Sequence, residues 1–466
     1  MQTQENHSTI EPNAPAVDVE AAKPVRRFSY RDIWLIAYPI LLSSLVEQLI
    51  GMTDTAFLGR VGEVELGASA LGGIFFIAVF MLILGFCVGA QILMGRRNGE
   101  GNYKDIGVVF YHSLGFLTLL SVLLLVLTKL FAPMLLRVLI SSDAVFEASV
   151  VYLDWRMWGV FFSMVACLFR AFYVATTQTS VLKFNSAVMV AANILFNYLL
   201  IFGHWGFPKM GIAGAAIASA LASLCSMLFF WVYTRYKVDY TKYALHVLPR
   251  FKFRLLGKML SVSLWMMVQN FLSLTTWFLF FVVIEHLGTR ELAVTNVIRT
   301  ISSFTYMSLL AFASTASTLT SNLIGAGQSS SVRPMIWRSI RLSCFLLIPV
   351  WAFIALFPEW VLGVFTNDAA IVAEGVAPLR MLGVSYFFQI PGLIYFQSVS
   401  GTGNTRTALS IEIISLFLYC LFIYVAVWEM RGNLTMAWAS EVVYAAPMMI
   451  FSVLYLRFGN WHKKQL

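Results

Sequence analysis

The chain of 466 residues is 59% hydrophobic and only 12% charged, whereas a soluble domain carries about 25% charged residues. This composition excludes an ordinary soluble protein and predicts a membrane protein. The net charge of +9 would suit nucleic acid, but the basic residues lie mainly in loops on one predicted side of a membrane. We therefore expect no nucleic-acid partner.

Apolar stretches long enough to cross a bilayer, about 20 residues each, occur twelve times. The first six are predicted at 32–58, 67–95, 107–132, 146–175, 180–203 and 210–236. The second six are predicted at 258–286, 292–323, 336–358, 370–400, 407–428 and 434–457. They predict an all-α integral membrane protein with an N-terminal six-helix lobe (31–236), a basic linker (237–257) and a C-terminal six-helix lobe (258–457). A disordered tail (1–30) is expected before the first lobe and a short tail (458–466) after the second.

The distribution of basic residues predicts the orientation of the chain. Lys and Arg are concentrated in the loops on the side of both termini, so the positive-inside rule places both termini in the cytoplasm. We expect a multi-pass protein of a bacterial plasma (inner) membrane. The largest basic cluster runs from Arg235 to Lys258, and it is expected to contact anionic lipid headgroups.

Two halves of the chain repeat each other. Arg156-Met157-Trp158-Gly159-Val160 recurs with one change as Arg380-Met381-Leu382-Gly383-Val384. At a near-constant spacing, Gly62, Glu65, Ala90 and Gly99 recur as Gly288, Glu291, Ala316 and Gly325. This pattern indicates two copies of one unit. Because six crossings return the chain to its starting side, we expect two lobes related by a pseudo-two-fold axis along the membrane normal, with a substrate path between them that opens alternately to each side.

The first predicted span contains two acids, Glu47 and Asp54. They are seven residues apart and share a helix face, with Glu47 near mid-membrane and Asp54 in the outer third. Ionisable groups in a bilayer cost about 3 kcal/mol, so they usually have a function. A carboxyl in such a place can take up a proton outside and release it inside. The alternatives are that Asp54 caps a broken helix end or meets water at the outer surface, and that Glu47 is simply hydrogen-bonded in a wet cavity.

The fifth predicted span offers partners for these acids. Asn193 and Asn197 are four residues apart and share a face. Asparagines in membrane helices often only bridge helices. Beside an acid of the same bundle, they predict a small cation or proton site.

Several other polar, aromatic and proline residues in the spans are candidates for function. A substrate cavity is predicted around Met52 of the first span and around Trp265, Gln269, Asn270 and Trp277 of the seventh, with plain packing as the alternative. Glu412 and Glu441 lie nearer span ends and are expected to reach water. Pro39 and Pro391 lack a backbone donor, and they are predicted to be hinges.

The sequence contains no motif for ATP binding, metal binding or catalysis. There is no GxxxxGK[ST] loop, so ATP is not the direct energy source. The five cysteines are odd in number and lie inside apolar runs, which argues against disulfides and metal clusters. We therefore expect no enzyme, no catalytic residues, no metal and no cofactor. Active transport would then be coupled to an ion gradient.

Three segments together resemble one transporter family. The segment Gly51–Gly62 resembles the helix 1 signature of the multidrug and toxic compound extrusion (MATE) transporters. Asn193–Gly203 with Gly211–Ala218 is similar to the helix 5–6 segment of that family, and Ser400–Thr407 is similar to its Gly-rich turn after helix 10. The resemblance covers about residues 30 to 457. It implies two six-helix lobes and export of cationic or amphipathic small molecules in exchange for protons or Na⁺.

The same resemblance implies roles for individual residues. Asp54 occupies the position of the family's helix 1 acid, which serves cation coupling, and Asn193 and Asn197 occupy the helix 5 polar positions. Some members have aspartate where this chain has Asn197, and Glu47 stands where members often have glutamine. We therefore hypothesise that Glu47 offsets the missing acid.

The second half lacks the acids that another branch of the family uses. Gln269 and Pro391 lie near those positions, so the ionisable chemistry is predicted in the first half only. The chain is thus closer to the DinF-like branch, and H⁺ is favoured over Na⁺ as the coupling ion because few acidic oxygens are present for a sodium cage.

Two alternatives to this prediction come from other classes. A lipid or lipid-linked oligosaccharide flippase of the same superfamily would need several Arg or Lys in the first-half cavity, and the helices there hold mainly Arg156 and Arg170. A channel or membrane-embedded enzyme would need a repeated pore motif or a reactive cluster. The expected partners are a small drug-like or metabolite substrate and the lipid bilayer, with the chain as a monomer.

Overall fold

A computed structural model describes residues 28–430 and 432–463, and within these ranges the chain is helical and has no β-strand. The N-terminal lobe contains α1 (Tyr30–Leu58), α2 (Glu63–Glu100), α3 (Tyr103–Leu139), α4 (Asp143–Arg156), α5 (Gly159–Ala175), α6 (Ser180–Phe202) and α7 (Gly211–Lys237). The predicted N-terminal tail lies almost entirely outside the described residues.

The C-terminal lobe repeats this arrangement. It contains α8 (Phe253–Leu287), α9 (Thr289–Gly325), α10 (Val332–Leu356), α11 (Pro358–Gly363), α12 (Ala369–Gly401), α13 (Thr405–Ile423) and α14 (Leu434–Phe458). A π-helical turn at Tyr424–Glu429 extends α13. The first helix of this lobe begins at Phe253, five residues before the predicted start of the seventh span.

The predicted architecture of twelve transmembrane helices in two lobes is confirmed. Ten helices in the described part of the chain are long and apolar enough to cross a membrane. The eleventh crossing is α4 and α5 together, and the twelfth is α9. Helix α9 is less apolar because it is largely buried in protein, where hydroxyls such as Thr315 donate to the carbonyl one turn earlier, that of Ala311.

The fourth span was predicted as one helix over 146–175, and this is wrong. The chain bends by 51° between α4 and α5, at Met157 and Trp158, inside the first copy of the repeated pentapeptide. The second copy lies within the continuous helix α12. The two copies therefore have the same sequence pattern and different local geometry.

The two-fold relationship of the lobes is visible where α2 crosses α9. A Cβ on Gly99 would collide with the carbonyl oxygen of Asn322, and a Cβ on Gly325 would collide with that of Arg96. These contacts are reciprocal, since Gly99 and Arg96 correspond to Gly325 and Asn322 in the repeat. Glycine lets the two backbones approach closely, as in other packed membrane helices.

Hydrogen bonds join the lobes at this same end of the molecule. Gln91 donates to Thr318 over 2.8 Å, and Asn98 donates to Asn322 over 2.6 Å. Among the described residues, the hydrogen bonds from α2 to the C-terminal lobe all start at Phe86 or later in the helix. The lobes are thus closed together at the C-terminal ends of α2 and α9.

Candidate functional site

Asp54 lies one turn before the end of α1, and α6 and α7 supply its partners. Its Oδ1 accepts hydrogen bonds from Nδ2 of Asn197 over 2.6 Å and from Nδ2 of Asn193 over 3.1 Å. Its Oδ2 accepts from the Ser219 hydroxyl over 3.1 Å. The Arg156 guanidinium also acts on this carboxylate through space. The structure therefore brings together Asp54, Asn193 and Asn197 as the sequence pattern predicted.

The geometry of α6 explains why both asparagines reach one carboxylate. They are one helical turn apart and both are fully buried, so they share the face that packs on α1. Asn197 also donates to Oδ1 of Asn193 over 3.1 Å. Helix α6 ends at Gly203 in the left-handed conformation (φ 77°), which only glycine adopts at little cost. Both asparagines therefore face Asp54 from the same side of α6.

Glu47 has a separate set of partners from those of Asp54. Its Oε1 accepts from the Arg170 guanidinium over 2.6 Å and from the hydroxyls of Ser43 and Ser186, each over 2.9 Å. Arg170 also donates to the Ser44 hydroxyl over 3.1 Å. The two acids lie about 10 Å apart along the helix, and among the described residues they share no hydrogen-bond partner. Whether Glu47 takes part in cation coupling, as the sequence suggested, stays a prediction.

The predicted lining residues of a substrate cavity differ in burial, and their grouping in one cavity stays a prediction. Trp265 and Asn270 are half-buried and Gln269 is buried, whereas Trp277 and Met52 are exposed. Trp265 stacks with the Arg406 guanidinium at 5.8 Å, and Trp277 with that of Arg299 at 5.9 Å. These two tryptophans are about 18 Å apart along α8.

The acids of the C-terminal lobe differ most from the prediction. Glu412 was expected to reach water and is only 1% exposed. Its Oε1 accepts from the hydroxyls of Ser273 over 2.5 Å and Tyr444 over 2.9 Å. Glu441 is half-buried and accepts from Nε2 of Gln389 over 3.0 Å. Ionisable chemistry is therefore present in both lobes, and its predicted restriction to the first half is wrong.

The two predicted hinges lie inside continuous helices. Pro39 is buried in α1, and Pro391 lies in α12 without interrupting it. Each removes one backbone donor from its helix. Their role as hinges stays a prediction.

Sequence reasoning missed three residues that complete these centres. Ser219 lies in a run of small residues on α7, and Ser273 has no pattern around it on α8. Arg170 was noticed only as one of few arginines in the first half. A lone cation in an apolar span needs a counter-charge, and that rule would have paired it with Glu47.

No group of three or more His, Cys, Asp or Glu side chains that could hold a metal ion occurs in the part of the chain that the structure describes. The described cysteines are all free. The carboxylates of Asp54 and Glu412 accept hydrogen bonds from neutral donors, and the carboxylate of Glu47 forms an ion pair with Arg170.

Comparison with known proteins identifies the family. The family model described as MatE matches twice, at residues 39–199 and 266–425, in agreement with the duplication. "Probable multidrug resistance protein NorM" of Thermotoga maritima is 24% identical over 438 residues, 93% of each chain. The protein of the same name from Synechocystis sp. is 27% identical over 348 residues, 73% of this chain and 74% of that one.

Solved structures show the same fold. A MOP superfamily transporter from Pyrococcus furiosus, whose binding pocket is described as having reverse polarity, superposes with a TM-score of 0.83 at 19% identity over 94% of this chain and 97% of that one. A structure described as MATE in the bent conformation gives 0.81 at 19% identity over 92% and 94%. The duplicated match over most of the chain shows that this protein belongs to the multidrug and toxic compound extrusion (MATE) family of transporters.

Proposed function

We propose that this protein exports cationic or amphipathic small molecules in exchange for protons, with Asp54 as the coupling site. The observation that carries the proposal is the enclosure of the Asp54 carboxylate by Asn193, Asn197 and Ser219. An acid in such a setting can alternate between a charged and a neutral form during transport. The multidrug names of the relatives support efflux of drug-like compounds.

The polarity of the contacts favours a proton over Na⁺. Hard cations take oxygen ligands, whereas both asparagines present their amide nitrogens to Asp54. This assignment satisfies the carboxylate with donors and leaves no ring of oxygens around it. A proton needs only the carboxylate itself.

The arrangement of the lobes supports transport by alternating access. If both termini are cytoplasmic, the closed ends of α2 and α9 lie at the cytoplasmic side, and the C-terminal end of α1 with Asp54 lies toward the outside. The coupling site would then be reached from outside in this conformation. Separation of α2 from α9 at Gly99 and Gly325 would open the space between the lobes to the cytoplasm.

A lipid flippase of the same superfamily is less well supported. Recognition of an anionic lipid headgroup would need free cationic side chains in the N-terminal lobe. Arg170 is paired with Glu47, and the Arg156 guanidinium lies over the Phe76 ring at 3.9 Å and acts on Asp54. Both positive charges are thus engaged by acids or aromatic faces of the same lobe.

Dye uptake into inside-out membrane vesicles tests the proposal. Wild-type vesicles should accumulate ethidium under an imposed proton gradient, acidic inside, and not under a sodium gradient at equal pH. Asp54→Asn should abolish the gradient-driven component. Asp143→Asn is the matched control, because Asp143 is an exposed aspartate paired with Arg137 outside the lobe interior.

Other results would contradict the proposal in distinct ways. Normal uptake by Asp54→Asn under both gradients would exclude Asp54 as the coupling site. Uptake driven by sodium alone would make Na⁺ the coupling ion. Equal loss in Asp143→Asn would show that the assay reports damage rather than coupling.

A further inference from the structure

Arg156 is a cation at the end of α4 that has no acid in direct contact. Its Nη1 is buried and has no hydrogen-bond partner among the described residues. The salt bridges of those residues do not include Arg156. The guanidinium lies over the ring of Phe76 at 3.9 Å. A buried donor without an acceptor is unfavourable, so this side chain would gain from an acceptor within its reach.

The contact between the start of α5 and α7 places the guanidinium on the side of Ser219. A Cβ on Gly159 would come within 3.2 Å of Nη1 of Arg156 and within 3.0 Å of Ala220. Ala220 follows Ser219, whose hydroxyl donates to Oδ2 of Asp54. Arg156 therefore approaches the Asp54 centre next to Ser219, and its positive charge acts on the carboxylate.

The Asp54 carboxylate has an unused acceptor position. Its Oδ1 accepts two hydrogen bonds, from Asn193 and Asn197, whereas its Oδ2 accepts one, from Ser219, among the described residues. An ionised carboxylate oxygen can accept about two hydrogen bonds. The centre thus contains an unused donor on Arg156 and an unused acceptor on Asp54.

The other groups around Asp54 do not balance its charge. The hydrogen-bond donors from α6 and α7 are neutral amides and a hydroxyl, and α2 contributes the uncharged ring beneath the guanidinium. Tyr152 of α4 also interacts with Asp54, and a phenol is uncharged near pH 7. On α1 itself, Glu47 is paired with Arg170. Among the described residues, Arg156 is therefore the cation that can balance an ionised Asp54.

The second copy of the repeated pentapeptide shows what the bend between α4 and α5 changes. Arg380, the counterpart of Arg156, lies within the continuous helix α12 and is exposed. Its Nε donates to the carbonyl of Ala355 over 3.1 Å. In the first copy the chain bends by 51° directly after Arg156. One sequence pattern thus gives an exposed arginine on a backbone carbonyl in one lobe and an arginine beside an acid in the other.

We propose that Arg156 is the internal counter-charge of Asp54 and sets the pH at which this carboxylate exchanges its proton. When Asp54 releases its proton to water, the guanidinium donates to Oδ2, and the pair is electrically neutral inside the membrane. When Asp54 takes up a proton, the guanidinium returns to the ring of Phe76. Arg156 is a positioning residue, because it acts through Asp54 and carries neither the proton nor the exported compound.

The inference rests on the proposed function, in which Asp54 is the coupling site, but the protonation of Asp54 can be measured without transport. Dicyclohexylcarbodiimide modifies protonated carboxyl groups. The purified full-length protein in detergent is treated with this reagent between about pH 5 and about 9, and the modified Asp54 peptide is quantified by mass spectrometry. The midpoint of this curve reports the exchange of the proton.

Arg156→Gln should move the midpoint of modification to higher pH by about one unit or more, because a nearby positive charge favours the ionised carboxylate. Arg156→Lys keeps the charge and should recover at least half of that shift. Arg380→Gln is the matched control from the second repeat, and its curve should coincide with that of the wild type. A purely structural role of Arg156 would lower the melting temperature and leave the midpoint in place.

Phe76→Leu tests the same inference with the opposite sign. It removes the ring that holds the guanidinium away from Oδ2, so the ionised pair is favoured and the midpoint should move to lower pH. This variant and Arg156→Lys decide the question if Arg156→Gln does not fold.

The inference is overturned if the midpoint in Arg156→Gln lies within about 0.3 unit of the wild type, or if Arg380→Gln moves it equally. A wild-type Asp54 that stays unmodified over the whole range would overturn it as well. If transport does not follow the modification of Asp54 with pH, the proposed function is wrong instead, because the effect of Arg156 on the carboxylate would stand.

Discussion

Arg170 donates a hydrogen bond of 2.6 Å to the Glu47 carboxylate and so ties α5 to α1 inside the N-terminal lobe. Ser43 and Ser186 complete the coordination of the same oxygen. The pair is about one third exposed, with side-chain values of 27% for Arg170 and 32% for Glu47. A charge pair in this position holds three helices together and is screened only in part.

Glu47→Gln should destabilise the protein without changing its coupling ion. The substitution leaves the guanidinium of Arg170 without its counter-charge, and the loss should be about 1–2 kcal/mol, below the 3–5 kcal/mol of a fully buried pair. Glu47→Gln, Arg170→Gln and the double variant form a double-mutant cycle in which the double variant should recover part of the loss. The free energy of unfolding can be measured by titration with sodium dodecyl sulfate.

The pH profile of transport by Glu47→Gln decides whether this acid replaces the one missing at Asn197. Because Glu47 and Asp54 have separate partners, we expect the profile to keep its wild-type midpoint while the amount of folded protein falls. A pH profile that flattens, or whose midpoint moves by about one pH unit or more, would instead show that Glu47 takes part in coupling.

Ser219→Ala should move the pH dependence of transport toward higher pH. The serine hydroxyl donates to the Asp54 carboxylate, and a hydrogen bond to the charged form of an acid favours that form. Removing the donor favours the protonated form, so a higher pH is needed to release the proton. Initial rates of ethidium uptake between pH 5.5 and about 9 measure the shift, which we expect to be about 0.5–1 unit.

Ser223→Ala is the matched control for that prediction. It lies one turn further along α7 and bonds the Ser219 carbonyl and Ser163, not Asp54. Its profile should coincide with that of the wild type. A common shift in both variants would mean that helix α7, and not the hydrogen bond to Asp54, determines the pH dependence.

The contact of Asp54 with Asn193 and Asn197 could be predicted from the sequence because its chemistry is local. The first span contains an acid, and the fifth contains two asparagines at helical spacing. Such polar residues are costly inside a membrane and therefore stand out in the sequence. Ser219 could not be found in this way, since a serine among small residues usually packs helices. Only the packing of α7 against α1 shows that its hydroxyl reaches Asp54.

The burial of Glu412 could not be predicted because it depends on other helices. Its position in the predicted span 407–428 suggested a helix end, and α13 does begin close by, at Thr405. Ser273 of α8 and Tyr444 of α14 nevertheless cover the carboxylate. A residue near a helix end is exposed to water only where no neighbouring helix extends past that end. The same limit applied to α9, whose low hydropathy reflects burial between the lobes.

The basic linker should make the stability of the protein depend on anionic lipid. Arg250, Lys252, Arg254 and Lys258 are all exposed around the start of α8. Each basic residue near an anionic membrane surface contributes about 1 kcal/mol. We expect the wild-type protein to melt at a higher temperature in nanodiscs of phosphatidylglycerol than in those of phosphatidylcholine, and replacing all four residues with Gln should remove this difference.

The lipid experiment has an internal control in ionic strength. Salt screens exposed charges, with a Debye length of about 8 Å at 0.15 M, so the wild-type difference between the two lipids should shrink as salt is added. A lipid dependence that persists unchanged in the quadruple variant would place the anionic lipid contact elsewhere on the protein.

Gly99→Ala should weaken the closed contact between the lobes. The added methyl group would collide with the carbonyl oxygen of Asn322. This oxygen belongs to the backbone of α9, which cannot move aside as a flexible side chain can. Overpacking of this kind costs about 1–3 kcal/mol, which should appear as a lower melting temperature.

Gly115→Ala is the matched control, and its expected effect has the opposite sign. Nothing lies within 4 Å of the position that its Cβ would take on α3. Alanine is favoured over glycine in a helix by about 0.8–1.0 kcal/mol, so this variant should melt at the same or a higher temperature. If Gly99→Ala behaves like Gly115→Ala, the two lobes are not in close contact at the ends of α2 and α9 in the membrane. Gly325→Ala should lower the melting temperature as much as Gly99→Ala does, because each glycine packs against a backbone carbonyl of the opposite lobe. Equal effects would show that the packing is reciprocal about the two-fold axis.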